Sequence, residues 1–387
     1  MSELSTSNAL SELNIDQFAS ICQQTINHED YPLAQRIESR VLFYRGDLLR
    51  ESLASETGRQ QMLNEFRQAL STGPGVIVIE NTYADSDSID DSNRIFSQIL
   101  SEEAKLGISA ADHFAKAGSN GRIWNVFQKT AFKSASTFID YYANPLLALV
   151  AESWLGPGYQ ITAQVNQVKP GNSAQAPHRD YHLGFQNAEQ VMRYPLQAQL
   201  MSQYLTLQGG IAHTDMPIES GPTVLLPFSH QYPLGYQAWR ESEFNDYFKQ
   251  HAVQFPLKKG DALFFNPALF HGAGENRSTN FERIANLLQI SSAFGKPMES
   301  VDSYAISKEI YPTLLDKVSS LTPLQVQAII SASADGYSFP SNLDTDPPLQ
   351  GMAPQTAQAL LSQALEQQWP VEKFRQAMDQ HRAKRNA

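Results

Sequence analysis

A change of sequence pattern at Tyr159 restricts most strongly how this chain can fold. Helical patterns dominate before that residue, whereas short β-type runs separated by clusters of Gly, Pro, Asn and Ser follow it. The runs are 160–168, 196–211, 223–226, 253–256, 262–265 and 284–292. Short strands separated by turn residues favour a sandwich or barrel over an alternating βαβ sheet. We therefore expect a double-layered jelly roll.

The segments on either side of this region have helical patterns. Asn144 followed by Pro145 is a typical helix start, and so is Thr322 followed by Pro323 with Gln325. The expected architecture is mainly β with flanking helices, and it forms one integrated catalytic unit. Its parts are a mostly helical support region with at least one strand (1–158), a catalytic β core (159–295) and a helical extension (296–387).

Composition excludes several classes of protein. The chain has 40 Asp and Glu against 29 Lys and Arg, a formal net charge of -11, so no nucleic-acid partner is expected. Cys22 is the single cysteine and cannot form an internal disulfide, which favours a reducing compartment. Residues 1–13 lack the apolar run of a signal peptide, and no run approaches the ~20 apolar residues of a membrane span. We expect a cytoplasmic protein that does not contact membranes.

Three residues have the chemistry of a metal site. His178 and Asp180 are two positions apart, where a strand is expected to emerge from a loop. His271 ends an apolar run, and Gly272 and Gly274 allow the backbone to turn sharply beside it. Two imidazoles and one carboxylate occupy one face of an Fe(II) octahedron and leave the other positions open. This pattern predicts a non-haem iron site.

Other histidines are alternatives. His213 and Asp215 form a second His-x-Asp pair, but Asp215 begins a segment typical of a turn, and a position for His213 facing the cavity stays open. For the distal ligand, His182 is too close in sequence to come from a different strand and is more typical of a pocket residue. His230 could cap a turn, and His251 is expected to begin a strand.

Arg283 is the candidate for binding a cosubstrate. It opens the last predicted strand among apolar neighbours, so it is expected to be buried and to need a partner. A carboxylate of 2-oxoglutarate would serve, because a guanidinium pairs with a carboxylate through two hydrogen bonds. The alternative is a structural salt bridge with Glu282 or Asp261. Arg277 is the less favoured clamp because it lies in the turn itself.

These motifs together resemble the phytanoyl-CoA dioxygenase family over about residues 160–292. The matching elements, in order, are His178-x-Asp180, Gly221-Pro222-Thr223-Val224-Leu225-Leu226-Pro227-x-Ser229-His230, Lys259-Gly260-Asp261, His271-Gly272-x-Gly274-x-Asn276 and Arg283. The resemblance implies a double-stranded β-helix (jelly roll, cupin-like) core. It also implies that His178, Asp180 and His271 bind Fe(II) and that Arg283 pairs with the distal carboxylate of 2-oxoglutarate.

The resemblance implies an oxidoreductase, a dioxygenase dependent on Fe(II), 2-oxoglutarate and O₂. Such an enzyme hydroxylates or otherwise oxidises a small organic substrate and releases succinate and CO₂. The halogenating relatives in the family lack the carboxylate ligand, so the presence of Asp180 favours hydroxylation or a related oxidation. The alternatives are a non-catalytic cupin-like metal or ligand-binding protein and a metal-dependent hydrolase or isomerase on the same barrel.

The chain departs from the family pattern near the cosubstrate. Phe228 replaces a glycine, Ala273 replaces a serine that often helps to hold the cosubstrate, and Arg283 lies one position later than the commonest spacing. Gln164 and Thr223 are candidate replacement hydrogen-bond partners for 2-oxoglutarate.

Substrate is expected between the mouth of the barrel and the helical flanks. Tyr181, His182 and Phe185 follow the first ligand pair and are expected to point toward it. Trp124 and Asn125 are further candidates, although Trp124 is equally typical of ordinary core. Members of the family act on acyl-CoA esters, amino acids, osmolytes and natural-product intermediates, so the motifs do not choose a substrate. The helical extensions suggest either a covered pocket or a homodimer contact.

Overall fold

The computed structural model describes residues 12–107, 120–349 and 351–386. The strands are β1 (Arg36–Glu38), β2 (Val41–Arg45), β3 (Val76–Glu80), β4 (Asn120–Ile123), β5 (Gln160–Val168), β6 (Thr206–Ala212), β7 (Thr223–Leu226), β8 (Val253–Gln254), β9 (Ala262–Phe265), β10 (Phe270–Ala273) and β11 (Arg283–Ser291). In these ranges they form an eight-stranded sheet, ordered β1-β2-β3-β9-β6-β11-β5-β4, and a three-stranded sheet, ordered β10-β7-β8. Residues 1–11, on which most of the signal-peptide prediction falls, lie outside the described part.

Helices and short turns complete the described chain. The helices are α1 (Ile15–Cys22), α2 (Gly46–Leu53), α3 (Glu56–Ser71), α4 (Asp87–Lys105), α5 (Val126–Lys133), α6 (Ala135–Tyr142), α7 (Pro145–Leu155), α8 (Ala188–Met192), α9 (Leu196–Ser202), α10 (Gly235–Ala238), α11 (Ser242–His251), α12 (Ser303–Lys317), α13 (Pro323–Ser333), α14 (Ala357–Glu366) and α15 (Val371–Ala383). The 3₁₀ turns are His28–Asp30, Gln203–Leu205, Ile218–Ser220, Ser229–Gln231 and Val318–Ser320.

The two sheets pack face to face, and helices cover the outside of the larger one. In β3, Val76 and Val78 pack into the apolar layer between the sheets, together with Leu225 of β7. Ile77 and Ile79 point the other way and join the largest hydrophobic cluster, which includes residues of α3, α7, α12 and α14. Because successive side chains of a strand alternate between faces, a strand buried on both sides is apolar throughout. The predicted jelly roll with flanking helices is confirmed.

The helix starts follow their capping signals. The Asn144 side chain accepts hydrogen bonds from the backbone N–H groups of Leu146 and Leu147 at the start of α7. Thr322 and Gln325 form a reciprocal capping box at the start of α13. These contacts satisfy N–H groups that have no partner within the helix.

The prediction of a strand from Leu196 is wrong in its first half. Pro195 precedes a helix, α9, and the strand begins only at Thr206. Leu, Gln, Ala and Met have good helix propensity, and a proline before the first turn is compatible with a helix start. His251 was predicted to begin a strand, but it ends α11. Among the described residues, no helix combines the length and the apolar character that crossing a bilayer requires.

The connection between β10 and β11 is fixed by the Asn276 side chain. Its amide nitrogen donates to the carbonyls of Val168 (3.2 Å) and Phe281 (3.0 Å). Its oxygen accepts from the backbone N–H (3.1 Å) and the hydroxyl (2.6 Å) of Ser278. Asn276 is fully buried, so the amide holds together a turn that would otherwise contain unpaired carbonyl groups. This turn sets the position of Arg283 relative to His271.

Asn276→Ala should lower the free energy of unfolding by about 2–3 kcal/mol, because it removes the hydrogen bonds of a fully buried amide, including the one to the Val168 carbonyl. Urea unfolding followed by circular dichroism measures this change. Ser278→Ala is the matched control, since it removes the two hydroxyl contacts, to Asn276 Oδ1 and to the Phe281 carbonyl, and leaves the amide bonds to Val168 and Phe281 intact. Equal losses in the two variants would contradict the role given to the amide.

Candidate active site

His178, Asp180 and His271 form a compact cluster of potential metal ligands. Their ligand atoms all lie within 4.8 Å of one another. The Nε2 atom of His178 is 3.5 Å from Asp180 Oδ1, and that of His271 is 3.5 Å from Asp180 Oδ2. The three residues are buried, with 5–8% of their surface exposed. The structure therefore brings the three predicted ligands together.

A direct backbone pairing brings the two histidines to one place. His178 lies in the connection after β5, and it forms an isolated antiparallel bridge with His271 of β10. The N–H of His178 donates to the carbonyl of His271 (2.9 Å), and the reverse bond measures 3.1 Å. The Asp180 N–H donates to the Pro267 carbonyl (3.1 Å). Directly opposed residues in a sheet carry neighbouring side chains, so the pairing sets the spacing of the two imidazoles.

Each imidazole is oriented by its second nitrogen. His178 Nδ1 lies 2.9 Å from the Ala176 carbonyl, and His271 Nδ1 lies 2.8 Å from the Leu269 carbonyl. A carbonyl only accepts, so each Nδ1 carries the proton and each Nε2 presents its lone pair to the cluster. Burial lowers the pKa of His178, which favours the neutral form that binds metals. Histidine ligands in metal sites are commonly held in this way.

The carboxylate is held by a residue of the larger sheet. Gln208 of β6 donates from Nε2 to Asp180 Oδ2. Burial raises the pKa of Asp180, but His178, His271 and Gln208 outweigh that effect and hold it well below its usual range. Asp180 Oδ1 is buried and accepts no hydrogen bond from any described residue. An unpaired buried carboxylate oxygen beside two imidazole lone pairs fits a divalent metal ion, and this donor set suits iron with open positions.

The cluster lies at one side of a cavity between the two sheets. Alternate residues of β11 point into it: Arg283, Ala285, Leu287 and Gln289. The other lining residues are Arg122, Trp124, Gln164, Asn166, Gln175, Phe185, Gln208, Gly209, Gly210, Ile211, Ala212, Met216, Thr223, Leu257, Leu263, Phe265, Ala273 and Met298. The period of two in β11 directs one face of the strand to the cavity.

Arg283 lies in the cavity wall and forms no ion pair with an acidic side chain of the described residues. It is 5% exposed, and burial lowers its pKa to about 10. One guanidinium nitrogen donates to the Gly221 carbonyl, while Nε has no hydrogen-bond partner in the described chain. The alternative partners are engaged elsewhere: Glu282 accepts from Gln167, and Asp261 accepts from backbone N–H groups. A buried cation of this kind fits a bound carboxylate.

The two predicted replacement residues also line the cavity. Gln164 is buried, and its oxygen accepts from Arg122 (3.3 Å). Thr223 opens β7 and pairs in register with Ala273. Arg277 is exposed and does not line the cavity. Of the two arginines considered for the clamp, only Arg283 faces the cavity.

Of the predicted substrate contacts, Phe185 and Trp124 line the cavity and three others point elsewhere. The Tyr181 hydroxyl donates to the Lys296 carbonyl (2.6 Å). His182 Nε2 is 3.1 Å from the Thr206 hydroxyl. Asn125 precedes α5, and its side chain donates to the Ser300 carbonyl (3.3 Å). Their roles as substrate contacts stay predictions.

The alternative histidines are held away from the cluster by other contacts. His213 is fully buried, 2.8 Å from both the Tyr141 hydroxyl and Asn93 Oδ1. His230 Nε2 is 2.9 Å from the Ser71 carbonyl. Two residues near the site had not been predicted. Gln208 holds Asp180, and alternation along β6 could have indicated its face. No sequence signal marked Gln289 as distinct from its neighbours.

The chain matches a known protein family. The model of the family described as phytanoyl-CoA dioxygenase (PhyH) matches residues 45–285, more than half of the chain. The chain belongs to this family, and the resemblance noted from the motifs is confirmed.

Individual proteins also resemble parts of this chain. Dioxygenase cdmD of Talaromyces verruculosus is 30% identical over 174 residues, covering 45% of this chain and 49% of that protein. The peroxisomal phytanoyl-CoA dioxygenase of Bos taurus is 25% identical over 229 residues, covering 54% and 63%. The chain spans about half the length of the first of these curated relatives. Among solved structures, the non-haem α-ketoglutarate-dependent epimerase SnoN is 18% identical with a TM-score of 0.42, covering 62% of this chain and 85% of that one.

The buried His213 makes stability depend on pH. Burial lowers its pKa from 6.5 to about 3 in the folded protein. Between these values the unfolded chain binds more protons than the folded one, so the free energy of unfolding falls as pH decreases. His213→Asn should flatten this dependence by up to about 1.4 kcal/mol per pH unit between about pH 6 and 4. Urea unfolding at several pH values measures the slope, and an unchanged slope would contradict the assignment.

Proposed function

We propose that this protein is an Fe(II)- and 2-oxoglutarate-dependent dioxygenase acting on a small organic substrate. In the balanced reaction, O₂ supplies one oxygen atom to the substrate and one to succinate, and 2-oxoglutarate loses CO₂. Hydroxylation of a C–H bond is the simplest outcome that this balance allows. Family membership supports the class of reaction.

One observation carries the proposal: a buried two-histidine, one-carboxylate cluster shares a cavity with a buried arginine that has no acidic partner among the described residues. A structural metal site would need only the first feature. The second adds a fixed positive charge in the same space, which a dicarboxylate cosubstrate would neutralise.

The residues have distinct roles in this proposal. His178, Asp180 and His271 would hold Fe(II), which supplies the site where O₂ is activated when bound. Arg283 would pair with the distal carboxylate of 2-oxoglutarate. The cavity walls would exclude water and orient the target C–H bond.

His178→Ala should reduce succinate formation to background, because two ligands no longer complete one face of the metal. The assay supplies Fe(II), ascorbate, 2-oxoglutarate and a panel of candidate substrates. His251→Ala, at the exposed end of α11, is the control and should retain activity. A wild-type protein that binds metal but forms no succinate from any substrate would instead support the cupin-like binding protein.

Arg283→Met should weaken 2-oxoglutarate binding about 100-fold, because it removes a buried charged partner worth roughly 2–5 kcal/mol. Fe(II) affinity should stay within about threefold, since the arginine does not touch the cluster. Arg277→Met is the matched control on the exposed side of the same connection. Calorimetric titration of 2-oxoglutarate and of metal separates the two affinities. Equal loss of both would contradict the assigned role.

A further inference from the structure

We propose that the cavity takes an uncharged, largely apolar organic molecule with a hydroxyl group, and that Gln289 binds this hydroxyl beside the metal cluster. This rests on the proposed function in one respect, the assignment of Arg283 to the cosubstrate. It selects one substrate class among those on which the family acts, and it argues against acyl-CoA esters and amino acids.

The charges of the cavity support an uncharged substrate. Among the described residues, the charged side chains that line it, apart from the metal cluster, are Arg122 and Arg283. Arg283, Asp180, a divalent metal and the two carboxylates of 2-oxoglutarate together carry no net charge. The net charge that a substrate meets in the cavity therefore depends on Arg122.

Arg122 is balanced within the protein. Its guanidinium lies 4.8 Å from the Trp124 ring centre and donates to Gln164 Oε1 (3.3 Å). Glu299 is the matching acid: burial raises its pKa overall, and the Asn125 N–H, Gln164 and Arg122 oppose that shift by favouring the carboxylate. Glu299 Oε1 accepts the Asn125 N–H at 2.6 Å, which fixes the carboxylate near Arg122. A charged substrate would therefore enter the cavity without a counterion, which is costly in a buried site.

The walls of the cavity supply apolar contacts. The apolar lining includes Trp124, Phe185, Met298, Leu257 and Leu287. Cavities with such a lining bind small organic molecules by burying apolar surface, and a few polar groups fix the orientation. The body of the ligand is therefore expected to be hydrocarbon.

Two carboxamides supply the polar contacts. Gln289 is 7% exposed and its Oε1 atom has no hydrogen-bond partner in the described part of the chain. The Oδ1 atom of Asn166 is also buried and lacks a partner among the same residues. A buried acceptor left unpaired costs roughly 1–3 kcal/mol, so a ligand that pairs with it gains affinity. A hydroxyl both donates and accepts, and it fits a carboxamide whichever way the amide is turned.

The position of Gln289 places that hydroxyl next to the reacting end. In the register of β11 and β6, Gln289 lies directly opposite Gln208. Gln208 in turn donates to Asp180. A hydroxyl bound to Gln289 is therefore one strand away from the residue that holds the metal-binding carboxylate.

Matched probes on one skeleton test the proposal by equilibrium dialysis. The protein is loaded with Mn(II) and 2-oxoglutarate. Three probes share one skeleton: androstanediol, its 3-sulfate and its dimethyl ether. Decanoyl-CoA and neutral alcohols of one to four rings are measured beside them. The best neutral alcohol should bind at least about tenfold more tightly than its sulfate or methyl ether, since about 1.4 kcal/mol corresponds to one factor of ten.

Variants assign the preference to particular side chains. Gln289→Leu should abolish the advantage of the alcohol over its methyl ether. Gln237→Leu is the matched control, because Gln237 is equally buried, also has an unpaired carboxamide oxygen among the described residues, and does not line the cavity. Glu299→Gln leaves Arg122 uncompensated and should raise the affinity for the sulfate several-fold relative to the alcohol.

Binding of the sulfate or of decanoyl-CoA at least as tightly as the best alcohol would overturn the proposal. Absence of binding by every neutral alcohol would overturn it too, as would equal effects of Gln289→Leu and Gln237→Leu. The proposed function fails separately: dialysis of 2-oxoglutarate without any probe tests the cosubstrate site. Loss of that binding would overturn the proposed function, whereas the comparison of the alcohol with its methyl ether in Gln289→Leu is read separately, because it does not depend on Arg283.

Discussion

The site depends on two backbone hydrogen bonds between His178 and His271. They join a loop after β5 to β10, an edge strand of the small sheet, and they fix two imidazoles from distant parts of the chain at neighbouring positions. The Nδ1 contacts with the Ala176 and Leu269 carbonyls then turn both Nε2 atoms inward. Side-chain chemistry at the centre is thus set by main-chain geometry, which a sheet maintains more rigidly than a loop.

Much of the fold and the ligand set could be predicted because strong local signals marked them. Helix caps at Asn144 and Thr322 and the apolar strand over 262–265 depend on residues close in sequence. The burial of Arg283 could be predicted from its apolar neighbours. That neighbouring acids such as Glu282 pair with other described residues could be seen only in the folded structure. The prediction of a strand from Leu196 was wrong because the residues that follow it suit either a helix or a strand, and packing decides between them.

The contacts around the ligands were harder to predict. Tyr181 and His182 follow Asp180 directly, yet both adopt left-handed backbone conformations that turn their side chains toward Lys296 and Thr206. Such conformations are uncommon for bulky residues, and no composition rule indicates them. Gln208 and Gln289 are opposite each other only because of the register between β6 and β11, which brings together positions far apart in sequence.

Two buried guanidiniums near the site have different surroundings. Arg179, between the two ligands of the first pair, donates to the Ser229 and Tyr232 carbonyls, and the rings of Tyr236 and Phe270 lie about it. Its charge is used to tie the ligand loop to the segment after β7, and it does not line the cavity. Arg283 is the one of the two that faces the cavity. The same side-chain chemistry thus serves as an anchor in one case and, under the proposed function, binds the cosubstrate in the other.

Gly210 lines the cavity at a position where a β-carbon can be added without a clash. A β-carbon added there would meet Leu287 Cδ2 at 3.7 Å, an ordinary contact, whereas one at Gly209 would lie 2.6 Å from the Phe264 ring. An alanine at position 210 would therefore narrow the cavity beside β6. The metal-ligand cluster, Arg122 and Arg283 would stay in place. Under the proposed function, the length of molecule admitted and the oxidation performed on it would be separable traits, and the first could change by single substitutions while the second persists.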